Sequence, residues 1–160
     1  MPTPTYTLIA STTLATSVFT VSFTGIDQTF GDLVFVCTPV GNNIAIRLKI
    51  NGDTGSNYSF VNMTANGTAG FSGSGTATSL TLNVQADVQA TPGLIVNGTI
   101  FDYTATDKHK SVLVRASNGN DGVNANAGRW ANTSAVTSIL FESGNQFTSG
   151  STFYIYGIEK

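Results

Sequence analysis

The chain has 160 residues, of which 41% are hydrophobic and only 10% charged, with a formal net charge of −2. That length suits one domain with one sizeable core, and a charge content far below the usual quarter leaves Ser, Thr, Asn and Gly to make the wet surface. Abundant aromatic and β-branched residues exclude a disordered chain, and seven scattered basic residues form no stripe that would neutralise a nucleic acid.

Residues 1–7 carry Pro2 and Pro4 and are predicted to form an extended N-terminal arm, because proline blocks helix and pre-orders an extended backbone. The segment has neither the basic region nor the long apolar run of a secretory leader. No stretch reaches the roughly 18–20 apolar residues of a membrane span. Synthesis in the cytoplasm without export is therefore expected, and no membrane partner.

A first strand is predicted at about Thr5–Ala10. Phe19, Val21 and Phe23 alternate with Thr20, Ser22 and Thr24, the period of a half-buried strand. Leu33–Cys37 is apolar without alternation, which predicts a central strand covered on both faces. Cys37 is the lone cysteine, so no internal disulfide exists, and it reads as a buried small hydrophobe. Ile44, Ile46, Leu48 and Ile50 alternate again, and Tyr58–Thr64 follows as a strand. Ala65–Ser79 is rich in Gly, Ser and Thr and is predicted as a long exposed loop, its one large apolar residue, Phe71, docking on the core or pointing at a partner.

Leu80, Leu82 and Val84 alternate, and Leu94–Tyr103 reads as a strand. The residues TATDKHK can form a short helical turn near Thr104–His109, but nothing in the sequence requires one. Val112-Leu113-Val114 resembles the Leu33–Cys37 run in lacking alternation, and strands at about Ala135–Glu142 and Thr152–Ile158 close the chain. Asn51-Gly52, Asn66-Gly67, Asn118-Gly119, Gly41-Asn42 and Gly144-Asn145 supply turns that tolerate positive φ. The expected fold class is all-β: one domain over 1–160, an antiparallel β-sandwich or jelly roll of about nine or ten short strands.

Residues suited to chemistry are few. His109 is the single histidine, in Asp107-Lys108-His109-Lys110, and reads as a solvated charged turn rather than a base poised beside a nucleophile. No Cys/His cluster offers a zinc site. A pair of carboxylates for glycoside hydrolysis would have to converge from turns and strand ends. Asn51-Gly52-Asp53-Thr54-Gly55-Ser56-Asn57 has the look of a cation loop but lacks the further acidic ligands of a calcium site, and a polar turn is expected, as for Asn118–Gly122. Five Asn-x-Ser/Thr sequons follow from a composition rich in those residues. No catalytic residue, metal ligand or cofactor is expected.

The aromatics are the stronger signal. Tyr154 and Tyr156 alternate with Phe153 and Ile155, so one face of this strand is core and the other presents tyrosines. Arg129-Trp130 joins them as a candidate pair of interface anchors. Core packing, a protein interface and stacking on sugar rings all suit such residues.

Four stretches carry a resemblance: TLIASTTLATSVFTVSFTGI, FGDLVFVCTP, IRLKINGDTGSNYSF and AVTSILFESGNQFTSGSTFYIYGI. Together they resemble a widespread group of bacteriophage virion proteins in which a strand ends in a Gly-Asp-Thr-like turn followed by a Tyr-Ser strand. The chain of those proteins closes on a Gly-Ser-Thr-Phe-x-hydrophobic-Tyr-Gly-Ile strand, here Gly150–Ile158. The resemblance implies a β-sandwich, often a homo-trimer, with no catalytic residues. Its members include tail-fibre or minor tail domains and small capsid-associated proteins. A start at Met1 with no upstream shaft favours a free-standing capsid decoration, or cement, protein on the outer surface of the virion, bridging subunits of the major capsid protein. The alternative is a tail or fibre component that binds a host glycan, and a third reading is an enzyme acting on that glycan. The contact residues expected are Pro2, Pro4, Tyr6, Phe71, Arg129, Trp130, Tyr154 and Tyr156.

Overall fold

Residues 5–83, 93–118 and 122–160 are described by the computed structural model; Pro2, Pro4 and Val84 lie outside them. Period-two patterning yields twelve strands among these residues. They are β1 (Tyr6–Thr13), β2 (Val18–Thr24), β3 (Asp32–Thr38), β4 (Arg47–Ile50), β5 (Tyr58–Ala65) and β6 (Gly70–Ala77), then β7 (Leu80–Thr81), β8 (Ile95–Phe101), β9 (Lys110–Ser117), β10 (Val123–Trp130), β11 (Ser138–Phe147) and β12 (Thr152–Ile158). A wide sheet of eight strands runs in the order β1-β12-β3-β8-β9-β10-β5-β6, and a narrow sheet of four runs β2-β11-β4-β7. The strand pairs are antiparallel, so the all-β sandwich expected from the sequence is the fold, with twelve strands in place of nine or ten.

Alternation sends every second side chain between the sheets. Phe153 and Ile155 of β12, Leu33, Phe35 and Cys37 of β3, and Ile139 and Phe141 of β11 are all fully or almost fully buried. Phe141 of the narrow sheet lies edge-on to Phe35 at 5.5 Å between ring centres and tilted against Phe153 at 5.6 Å, both in the wide sheet. Phe23 and Phe147 extend the cluster. Edge-to-face rings add to area burial because the positive rim of one ring meets the negative face of another.

Two strand glycines are required by this packing. A Cβ on Gly98 would stand 2.1 Å from the Phe35 ring, and one on Gly157 would stand 2.2 Å from the Phe30 ring. The Tyr-Gly-Ile close of the chain thus has a steric reason: the ring of Phe30 occupies the side-chain position of Gly157.

Several elements depart from expectation. Ile44 and Ile46 are buried but precede β4; Asn83 takes the place of a ladder there, accepting from Ile46 N at 2.7 Å and donating to Ile44 O at 2.8 Å. The supposed loop Ala65–Ser79 contains β6, whose small side chains hide a strand that pairs throughout with β5. β10 pairs with both β5 and β9, although no strand was expected there. Residues 104–109 form turns and bends, not a helical turn.

Phe35→Ala is expected to lower folding stability by about 3–5 kcal/mol, and Gly98→Ala by about 1–3 kcal/mol, because the Phe35 ring must leave its rotamer to admit the methyl group. Urea unfolding of the two variants against the parent measures both.

Candidate functional site

Directly opposed residues of an antiparallel pair share one face of the sheet, so the registers place the outward side chains of the wide sheet in rows. One row crosses all eight strands as Leu8, Tyr156, Val34, Thr99, Leu113, Ala127, Val61 and Ser74. The next runs Ser11, Tyr154, Val36, Asn97, Arg115, Ala125, Met63 and Ser72. This outer face, turned away from the narrow sheet, is strongly apolar. Of the ten large hydrophobic side chains exposed among the described residues, all but Phe19 and Phe71 stand on it, including Met63 at 64% and Leu113 at 50%. Isolated exposed apolar residues are ordinary, but contiguous apolar patches mark interaction surfaces.

Tyr154 and Tyr156 stack on each other at 6.2 Å in the middle of β12, both half-buried. Beside them a depression of about 460 Å³ is lined by Tyr6, Val34, Val36, Asn97, Thr99, Arg115 and Tyr156. The only charged groups on the outer face of the described strands are Asp32, Arg115 and Arg129, and neither guanidinium has an ion-pair partner among the described residues.

The structure thus gathers Tyr6, Arg129, Tyr154 and Tyr156 on one face of the wide sheet. Tyr6 and Thr7 are already part of β1, paired with Ile158 and Gly157, although residues 1–7 were expected as an arm. Phe71 is exposed, but it opposes Thr64 on the other face of the sheet, at a groove of about 480 Å³. Trp130 is a correction. Alternation turns it inward, it is 1% exposed, and its Nε1 donates to Asp53 Oδ2 at 2.7 Å. Arg129 and Trp130 are neighbours in sequence and therefore point to opposite faces.

That bond explains the Gly-Asp-Thr turn. Asp53 also accepts from Gly55 N at 2.8 Å and from Asn57 Nδ2 at 2.9 Å, so its carboxylate fastens the turn between β4 and β5 instead of facing a cation. The Trp130 bond, then Asn57 and Gly55, hold its carboxyl below the usual range. Four other acids are similarly occupied. Asp27 holds Thr29, Asp32 accepts from Asp102 N, Asp102 pairs with Lys108, and Glu142 pairs with Lys49. No cluster of three potential metal ligands occurs among the described residues. His109 is exposed. Burial pushes the Cys37 thiol well above its usual value, which leaves it a packing group.

Lys110, expected within a solvated turn, is instead fully buried. Its ammonium donates to the carbonyl oxygens of Ala105 at 2.7 Å, Lys108 at 3.0 Å and Thr133 at 3.2 Å, and desolvation lowers its pKa. The signal is present in the sequence, because Lys110 is in phase with the inward residues Val112, Val114 and Ala116. The outer-face residues Val61, Met63 and Leu113 escape a reading of the sequence because an apolar residue on either phase of a strand looks like core. Val112-Leu113-Val114 was expected to be covered on both faces, yet Leu113 faces solvent.

No family model matches the chain, and no curated protein matches it. Among solved structures, the chain is similar to an exo-inulinase from Aspergillus awamori, with a TM-score of 0.42 and 16% identity over 96% of this chain and 29% of the other. It therefore spans under a third of that enzyme. Galectin LEC-6 of Caenorhabditis elegans gives a TM-score of 0.38 and 12% identity over 98% and 96% of the two chains. A tail fiber protein from an E. coli phage gives 0.30 and 16% over 86% and 15%.

Lys110→Met is expected to cost about 2–4 kcal/mol, since three carbonyl oxygens lose a charged donor, and a thermal melt measures it. Asp53 supplies a pH signature. Its carboxyl stays ionised in the fold at pH values where the unfolded chain takes a proton. Its stabilisation is complete above the unfolded value, roughly pH 4, and disappears as pH falls through the lower folded value. Asp53→Asn should flatten that part of the stability-against-pH curve, and an unchanged curve would refute the clasp.

Proposed function

We propose that this chain is a non-enzymatic structural protein of a bacteriophage particle, a capsid decoration protein that stabilises the shell by bridging capsid subunits. The observation that supports contact as its work is the outer face of the wide sheet: eight strands of mostly apolar side chains with three charges on them. Leaving such a face in water is costly, at roughly 25 cal/mol for each Å² of apolar surface, and covering it drives association. The phage setting rests on the sequence resemblance. Low charge fits close-packed copies, which would otherwise repel. The reading places the chain on the outer surface of the virion, with the major capsid protein as a partner.

A second reading has one specific observation in its favour. The stacked pair Tyr154 and Tyr156 beside Asn97, Thr99 and Arg115 offers an aromatic platform with hydrogen-bonding groups at its edge, which suits a sugar ring and a tail component that binds a host glycan.

Copy number separates the two. Gel densitometry of purified virions against the major capsid protein should give hundreds of copies for a decoration protein, and a few dozen or fewer for a tail component. Cleavage of host polysaccharide by the purified chain would contradict both.

A further inference from the structure

We infer that the outer face of the wide sheet is covered by a second copy of this chain, packed face to face about a two-fold axis that runs along the strands between β8 and β9. This narrows the contact reading above: the face is taken up by a second copy and not by a capsid subunit, and the inference rests on that reading only in taking the face as an interface.

Size is the first argument. Eight strands about 4.8 Å apart and seven residues long at about 3.4 Å each make a face of roughly 800 Å², which is what each partner contributes to a stable interface of ordinary size. The second argument is the Val112-Leu113-Val114 run, which has the sequence of a strand covered on both sides, while one chain covers only one side and leaves Leu113 half exposed.

Complementarity under the axis is the third. The rotation exchanges β8 with β9, β3 with β10 and β12 with β5, because the sheet order is symmetric about its centre in position. Tyr156 and Tyr154 then lie over Val61 and Met63 of the other copy, and Val34 and Val36 lie over Ala127 and Ala125. Large side chains meet small ones, and a thioether meets an aromatic ring, a favourable contact. Asp32 of β3 and Arg129 of β10 stand at one level of the sheet, so each Asp32 faces the other copy's Arg129. Within one chain they are three strand spacings apart, about 14 Å, too far for an ion pair. Aligned sheets cross at about −30°, and the long arginine side chain spans the resulting offset. The two Arg115 flank the axis, the one like-charge approach, with the amide oxygen of Asn97 placed to accept their N–H groups.

Sedimentation of the purified chain at micromolar concentration tests this. The expected particle contains two chains of 16.7 kDa. Leu113→Lys, half exposed in the monomer, should sediment as one chain that still melts cooperatively, at a temperature lowered by no more than the loss of pairing. Arg129→Asp should weaken the pair by about tenfold or more, and Asp32→Lys combined with Arg129→Asp should restore it, a rescue that only contact between copies explains. A single-chain or three-chain wild type, or a Leu113→Lys variant that still pairs, would overturn the inference. A single-chain protein found in hundreds of copies on virions would sink the pairing and leave the virion role standing; a two-chain protein absent from virions would do the reverse.

Discussion

Phe141 is the point on which the two sheets hang together. Its ring reaches from the narrow sheet to touch Phe35 and Phe153 in the wide one, and Phe35 can occupy that position only because Gly98 on the adjacent strand leaves the space open. With one aromatic cluster bridging the layers, alternation assigns a face to every residue along the paired strands. A slip of one residue in any central strand would exchange its inward and outward sets, so the core fixes the outer face as firmly as it fixes itself.

The consequence is an uneven sandwich. Four strands cover the inner side of a sheet twice as wide, and the other side of that sheet is left to whatever binds it. Turn chemistry supports rather than competes with this arrangement. Asp53, fastened by Trp130, Asn57 and Gly55, ties the β4–β5 connection to β10, and Lys110 gathers the carbonyl groups of the turn before β9. Asp53, part of a cation-like loop in the sequence, is consumed in holding a turn, while the side chains exposed on the outer face are mostly aliphatic and aromatic, with Arg115 and Arg129 among them.

How much of this is legible in the sequence depends on side-chain size. β2, β3 and β12 are plain because large apolar residues alternate there with Thr, Ser or Tyr, or run continuously. β6 is invisible because its sequence, GFSGSGTA, has little but backbone to pair. β10 is hidden differently: its inward positions include Asn124, Asn126 and Gly128, polar or absent side chains, with Asn124 Nδ2 donating to Thr64 Oγ1 and Asn126 Nδ2 to the Thr81 carbonyl, so its alternation carries no hydrophobic signal. Of the expected contact residues, Tyr154 and Tyr156 have an outward placement that is readable from strand phase. Trp130 is misplaced when residue type is given more weight than phase, and Lys110 for the same reason. Leu113 and Met63 are lost when every apolar residue in a strand is assigned to the core, because the wide sheet carries such residues on both of its faces.

The account turns on the outer face being covered when the protein is at work. Hydroxyl-radical footprinting of the assembled wild type against the Leu113→Lys variant measures that side chain by side chain. Protection of Met63, Tyr154 and Tyr156 in the assembly, with Phe19 on the narrow sheet equally reactive in both, is the predicted result. Equal reactivity of Met63 and the two tyrosines in both samples, or protection centred on Phe19, would contradict it.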